Sequence, residues 1–181
     1  QLSERASYDF LSQLYNRSTF ERELKSEIER SAHAKVAVLF IDVDDFKFIN
    51  DRFGHSVGDE VIKYVAGCIK QRVKGSGFAG RFGGDEFVLC ITDPKQIEEI
   101  ESLSLDLIDE LYEGYHSELA NVSINVKASI GIAFYPEHGD DSNKVVAAAD
   151  EAMYFVKKNG KANYHIYQPE DSEMEDLQHT L

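Results

Sequence analysis

The chain has 181 residues, 43% apolar and 29% charged, enough for one domain with a hydrophobic core and too few for two. Nineteen Lys and Arg against 33 Asp and Glu leave a formal charge of −14, which argues against a sequence-independent grip on nucleic acid or on an anionic membrane. Cys68 and Cys90 have no metal-ligand neighbours and read as reduced core residues, and no apolar run approaches the roughly 20 residues of a membrane span, so the fragment is expected in the cytoplasm.

In chain order, Phe20, Leu24 and Ile28 recur every four residues among charges and predict an amphipathic helix over 18–32. Val36 to Ile41 is a β-branched apolar run, the pattern of a central strand buried on both faces, and acidic residues begin at Asp42. Val57, Val61, Val65, Ile69 and Val73 mark a second helix, ending before Gly75-Ser76-Gly77. Phe78 to Phe82 and Phe87 to Ile91 predict two strands joined through Gly83-Gly84, with Asp85 and Glu86 at the hairpin tip. Ile100, Leu103, Leu107 and Leu111 predict a third helix, and Val126 to Tyr135 a strand of alternating polarity ended by Pro136. Val145, Ala149, Ala152, Met153 and Val156 line a last helix closed by Gly160, before a short strand over 164–167 and a polar tail expected to fray from Pro169. Alternating strands and helices with an antiparallel hairpin predict a mixed α/β sandwich, without repeats.

Chemistry concentrates at Asp42, Asp44 and Asp45, where a buried strand surfaces, and at Asp85-Glu86 on the glycine turn. If the two edges meet, they form an oxygen-rich site suited to Mg²⁺ or Mn²⁺, and paired ions about 4 Å apart suit in-line attack at phosphorus. A lone D-x-D after a strand serves equally as a helix cap or a solvated loop. An EF-hand is excluded, because Lys47 and Phe53 stand where its glycine and closing glutamate belong. Asn50 and Asp59 are chemically apt for a guanine edge, and apt also as a turn residue and a helix cap. Lys157 and Lys161 flank the last helix's C-terminus, where a cation also complements the helix dipole. His33, His116, His138, His165 and His179 read as surface or structural residues, and neither a nucleophile elbow nor a Walker loop is present.

Taken together, Arg81-Phe82-Gly83-Gly84-Asp85-Glu86-Phe87 resembles the signature of GGDEF domains. The segment from Asp9 to Arg17 resembles that family's D-x-L-T-G-L-x-N-R entrance, Asp42 to Asp59 its D-x-D-x-F-K-x-I-N-D-x-x-G-H-x-x-G-D block, and Ser129 to Ala133 a further motif. The resemblance runs from Asp9 to Tyr167 and implies a diguanylate cyclase with a palm-like, ferredoxin-related α+β sandwich: a central, mostly antiparallel sheet flanked by helices. It implies that two GTP molecules condense into cyclic di-GMP across a homodimer, each 3′-hydroxyl attacking the other's α-phosphate with loss of pyrophosphate. By position, Asp42 and Asp85 with the Val43 carbonyl would ligate two Mg²⁺ or Mn²⁺ ions, and Glu86 would assist there or take the hydroxyl proton. Asn50 and Asp59, supported by His55, would bind guanine, and Phe46, Lys47, Lys157 and Lys161 would meet the phosphates, Lys47 counting also among the catalytic groups.

Three departures stand out. Ser12 and Gln13 replace the usual Thr and Gly of the entrance, Lys161 replaces an Arg that would clamp phosphate in bidentate fashion, and Lys74-Gly75-Ser76-Gly77 occupies the place of the R-x-x-D inhibitory product site. The last implies no feedback through that loop. Competing readings are a catalytically inactive GTP-binding module regulating an adjacent domain, and a pure dimerisation domain. The expected organisation is a linker over 1–8 from an upstream sensor, the cyclase domain over 9–168, and a tail over 169–181 leading toward an EAL domain, with no nucleic-acid or membrane contact by this fragment.

Overall fold

The computed structural model describes residues 7–30 and 35–172. Strand β1 (Val36–Val43) lies between β3 (Glu86–Thr92) and β6 (Ala128–Tyr135), both antiparallel to it. A strand paired on both edges and covered on both faces needs apolar side chains in each direction, which the uninterrupted run from Val36 to Ile41 supplies. Ala37, Leu39, Ile41 and Val43 enter one core, and Val36, Val38 and Phe40 the other. β2 (Gly77–Gly83) pairs with β3, and β7 (Tyr164–Ile166) adds parallel to β6, giving the order β2-β3-β1-β6-β7.

On the first face lie α3 (His55–Val73), preceded by the short α2 (Phe46–Phe53), and α4 (Ile97–Glu113). Val57, Val61, Val65, Ile69, Ile100, Leu107 and Leu111 fill the space beneath them. The other face carries α1 (Arg17–Arg30), capped by Asn16 Oδ1 accepting from the Thr19 amide at 2.9 Å, and α5 (Ser142–Lys158). Gly131 permits the close seat of α5 on β6, because a Cβ there would meet Ala149 O at 2.0 Å and Met153 N at 2.1 Å. The succession β1, α2 and α3, β2, β3, α4, β6 is the split βαβ of ferredoxin-like folds, extended by α5 and β7. Among the described residues no helix is long and apolar enough to cross a membrane.

Several details depart from expectation. β1 runs on through Asp42 to Val43, and Glu86 begins β3 instead of sitting on the tip. β6 does not alternate: every residue from Ala128 to Phe134 is buried, since helices cover both faces. A second hairpin, β4 (Tyr115–Ser117) with β5 (Val122–Ile124), fills the segment after α4. Residues 169–172 form a helical turn, against the expected fraying, with Asp171 buried against His165 Nε2 at 3.1 Å and the Gln168 amide at 2.8 Å. Upstream, Ser7 donates to Thr19 Oγ1 and Tyr8 bridges to Tyr15, so the packed structure already includes part of the segment expected as a linker. α1 is described as far as Arg30, and residues 31–32 of the expected helix, His33 and His179 lie outside the described residues.

Candidate active site

The antiparallel pairing that builds the sheet also assembles its acidic edge. Asp42 stands opposite Glu86 on one side and Ser129 on the other, and the Val43 amide donates to the Asp85 carbonyl at 3.3 Å, which fixes the hairpin turn beside the end of β1. Gly83 and Gly84 have φ of 134° and 50°, backbone that lets the turn fold back with no side chain over Asp85. Burial, reinforced by the close approach of Asp85, pushes the Asp42 carboxyl up to about 8 against the pull of Lys157. Burial and Asp85 likewise raise Glu86, opposed by Arg17 and Lys157. The Asp42 Oδ1 atom is buried and has no hydrogen-bond partner.

Cations arrive from the other end of the fold. α5 delivers Lys157, whose Nζ is 3.5 Å from Asp42 Oδ2 and 2.5 Å from Asp44 Oδ1. The turn after α5 delivers Lys161, 3.0 Å from Asp45 Oδ1. Asp42, Val43, Asp45, Phe46, Lys47, Asp85, Lys157 and Lys161 thus share the wall of one open pocket of about 500 Å³. Phe46 and Lys47 open α2, where main-chain amides lack intrahelical acceptors and favour an anion.

Beside this pocket, α2 and α3 form a second, polar element. Gly54, at φ 92°, separates the two helices, and a Cβ on Gly58 would lie 1.8 Å from Asn50 Oδ1. The bare Gly58 backbone therefore seats Asn50 against the first turn of α3, one residue before Asp59. His55 and Asp59 are exposed on that turn, and Asp59 lies inside α3, not at its cap position. Asn50, His55 and Asp59 do not line the acidic pocket itself.

Arg81 and Gln13 were not singled out as site residues from the sequence, and Asp44 was named there only as one of a group of surface carboxylates. Arg81 clasps the hairpin: Nε and Nη2 donate to the Gly84 carbonyl at 2.9 and 2.7 Å, and Nη1 pairs with Asp9 at 3.1 Å. Its place in the signature was the available signal. Asp44 turns inward, fully buried, and so leaves the crowd of surface carboxylates. Gln13, standing in place of glycine, keeps the turn at φ 62° by donating its amide to Asp9 O and its Nε2 to Phe10 O.

Among the described residues no three His, Cys, Asp or Glu side chains converge as a metal site on their own. The residues present nevertheless fit a divalent cation. A buried carboxylate oxygen lacks a partner, and two crowded carboxylates hold excess negative charge that a hard cation would neutralise.

Fold and edge together define a ferredoxin-like palm domain with an acidic pair facing a lysine cluster. A family model described as "Diguanylate cyclase, GGDEF domain" matches residues 6–163, and the chain belongs to the GGDEF domain family. It is 33% identical over 170 residues to the bifunctional diguanylate cyclase/cyclic di-GMP phosphodiesterase MucR of Pseudomonas aeruginosa, a match covering 93% of this chain and 24% of that protein. It is 34% identical over 178 residues to diguanylate cyclase TpbB of the same species, covering 94% of this chain and 39% of that one. The chain therefore spans a quarter to two-fifths of the length of these curated relatives. A solved GGDEF domain of TpbB superposes with a TM-score of 0.89 at 30% identity, over 94% of this chain and 99% of the other. The GGDEF domain of DgcB from Caulobacter crescentus, solved in complex with c-di-GMP, gives 0.84 at 26% identity, over 92% and 98%.

Proposed function

We propose that this chain is a diguanylate cyclase domain that condenses two GTP into cyclic di-GMP and two pyrophosphates across a homodimer. The observation that carries the reading is the shared pocket, where the Asp42–Asp85 pair faces Lys47, Lys157 and Lys161. Family membership and relatives named as diguanylate cyclases support it.

Asn50 and Asp59 hold the guanine edge, Asp59 accepting from the ring N–H and exocyclic amine, with His55 beside them. Lys47, Lys157, Lys161 and the Phe46 amide bind the phosphates and orient the α-phosphorus toward the partner subunit. The 3′-oxygen of one nucleotide bonds to the α-phosphorus of the other, while the bond from that phosphorus to the leaving pyrophosphate breaks. Two such events close the ring. Glu86, raised by burial, is suited to receive the hydroxyl proton. Asp42 and Asp85 with the Val43 carbonyl would hold Mg²⁺ or Mn²⁺, two ions per site, supplying charge neutralisation and a more acidic hydroxyl.

We place this domain in the cytoplasm, beside an upstream sensor and an EAL domain in the whole protein; the one support from a relative is that MucR, much longer than this chain, is named for a phosphodiesterase activity as well as a cyclase activity. The segment Lys74-Gly75-Ser76-Gly77, which runs from the end of α3 into the first residue of β2, lacks an Arg and Asp pair, so cyclic di-GMP added to the reaction should not slow turnover through it. Tight product binding abolished by Lys74→Ala would contradict this.

The deciding experiment follows pyrophosphate and cyclic di-GMP from GTP with Mg²⁺ or Mn²⁺, beside Asp85→Ala. Product from the wild type alone is the expected result. GTP binding without product at any protein concentration would replace the cyclase with a regulatory GTP-binding module.

A further inference from the structure

We propose that Asp44 is the positioning residue of the phosphate-binding edge: it holds the end of α5 and the turn beyond it in the place where Lys157 and Lys161 meet a triphosphate. The inference rests on the cyclase-domain reading of the pocket. It adds a role for a carboxylate that is neither a metal ligand nor a guanine contact in that reading.

Asp44 has a fully buried side chain, an expensive place for a charge unless each oxygen is satisfied. Here both are. Oδ1 accepts from Ser129 Oγ at 2.6 Å and from Lys157 Nζ at 2.5 Å, and Oδ2 accepts from the Ala162 amide at 2.9 Å. Its own amide donates to the Lys127 carbonyl at 2.8 Å, which anchors the carboxylate to the rim of the sheet. Three separate segments, β6, α5 and the loop after α5, therefore meet on one side chain.

That loop is strained. Gly160, Lys161 and Ala162 have φ of 105°, 61° and 49°, and the last two are side-chain-bearing residues in the left-handed region. Such residues are costly and persist where surrounding contacts hold them. The Lys161 amide donating to Val156 O at 2.9 Å ties the loop to α5, and the Ala162 amide on Asp44 ties it to the sheet. Held between these bonds, Lys161 reaches Asp45, and its ammonium stays beside the pocket. Lys157 is engaged by Asp44 at one donor and lies near Asp42, which leaves donor capacity for an arriving phosphate. Both cations are placed before the ligand arrives, so binding need not include the entropy of ordering two long side chains.

The test is a binding titration, independent of turnover, with Mg²⁺ and a non-hydrolysable GTP analogue and separately with Mg²⁺ and inorganic tripolyphosphate. In Asp44→Asn the shape and the Ser129 and Ala162 bonds can persist, but the charge that aims Lys157 is gone. Affinity for both probes should fall about 10-fold, the effect of one charge-assisted hydrogen bond, while affinity for Mg²⁺ alone is unchanged. Asp44→Asn combined with Lys157→Met should weaken the probes no further than Lys157→Met alone, because the aspartate acts through the lysine. Additive losses, or an unchanged affinity in a folded Asp44→Asn, would overturn the proposal. Should that variant not fold, Ser129→Ala keeps the charge and loosens its aim, and a loss of about 2-fold confined to the phosphate probes is expected; no loss would count against Asp44. Wild-type protein that binds the analogue yet makes no product from GTP at any protein concentration would end the cyclase reading and leave this one standing. Wild-type protein that binds neither probe would end both.

Discussion

Asp42 occupies a strand position flanked by Glu86 and Ser129, where an apolar or amide side chain would fit without repulsion, and its carboxyl is pushed up to about 8 by burial and by Asp85. At neutral pH the metal-free fold therefore carries either an unfavourable proton or an unfavourable charge. Asp42→Asn should stabilise the metal-free protein by about 1 kcal/mol, a rise of roughly 2–4 °C in melting temperature, and abolish both turnover and the stabilisation by Mg²⁺. Thermal melts with and without Mg²⁺ check this, and a variant that melts lower than wild type would show that Asp42 is a structural residue. Gln13 carries strain of another kind. At φ 62° it holds a turn in which the family uses glycine, and its exposed side-chain bond to Phe10 O recovers only part of the penalty. Gln13→Gly should therefore stabilise by about 0.5–1 kcal/mol, after the larger entropy of glycine in the unfolded chain is counted. A denaturation midpoint at or below that of wild type would mean that the Gln13 contacts offset the strain fully.

Among elements, the α2–α3 junction is where helix stability and the proposed guanine recognition pull apart. Gly58 sits in the first turns of α3, where alanine is the better helix former by about 1 kcal/mol. Yet its Cβ would fall 1.8 Å from Asn50 Oδ1, an atom at the end of a movable side chain. Gly58→Ala should leave the melting temperature level or higher while it rotates Asn50 away, raising KM for GTP about 10-fold with little change in kcat. Loss of stability in parallel with KM would instead mean that the glycine serves packing. The contrast marks what was legible in the sequence. α3 and α5 announce themselves because one-sided burial enforces a helical period over 17 or more residues, β1 because burial on both faces enforces an unbroken apolar run, and Asp42, Asp85 and the lysines stand out because acidic and basic residues interrupt those patterns. β4 and β5 have three residues each, too few for a period, and were missed. Asp44 looked like one more surface carboxylate, since its partners Ser129, Lys157 and Ala162 lie 85, 113 and 118 residues away. The docked turn over 169–172 was hidden for a similar reason: its polar composition suggests solvent, but His165 and the Gln168 amide supply the partners that bury Asp171.

At the scale of the whole molecule the pocket is open, and one copy holds one acidic pair, so the proposed condensation needs two copies face to face. Each carries a formal charge of −14, and two such surfaces repel before any specific contact forms. Association of this fragment should accordingly be weak at low ionic strength and improve as salt screens the repulsion over the roughly 8–10 Å Debye length near 0.1–0.15 M. Turnover per mole of protein, measured at saturating GTP and Mg²⁺, should rise with protein concentration and level off once dimers dominate. At a fixed low concentration it should rise again when moderate salt is added. Fusing the chain to a parallel dimeric coiled coil should bring dilute protein to the same plateau, because tethering supplies an effective concentration in the millimolar range. Light scattering on the same samples distinguishes the alternatives. Constant specific activity from a species that remains monomeric would remove the dimer from the mechanism, whereas constant activity from a persistent dimer would place its dissociation below the concentrations tested, overcoming the charge by contacts elsewhere on the surface.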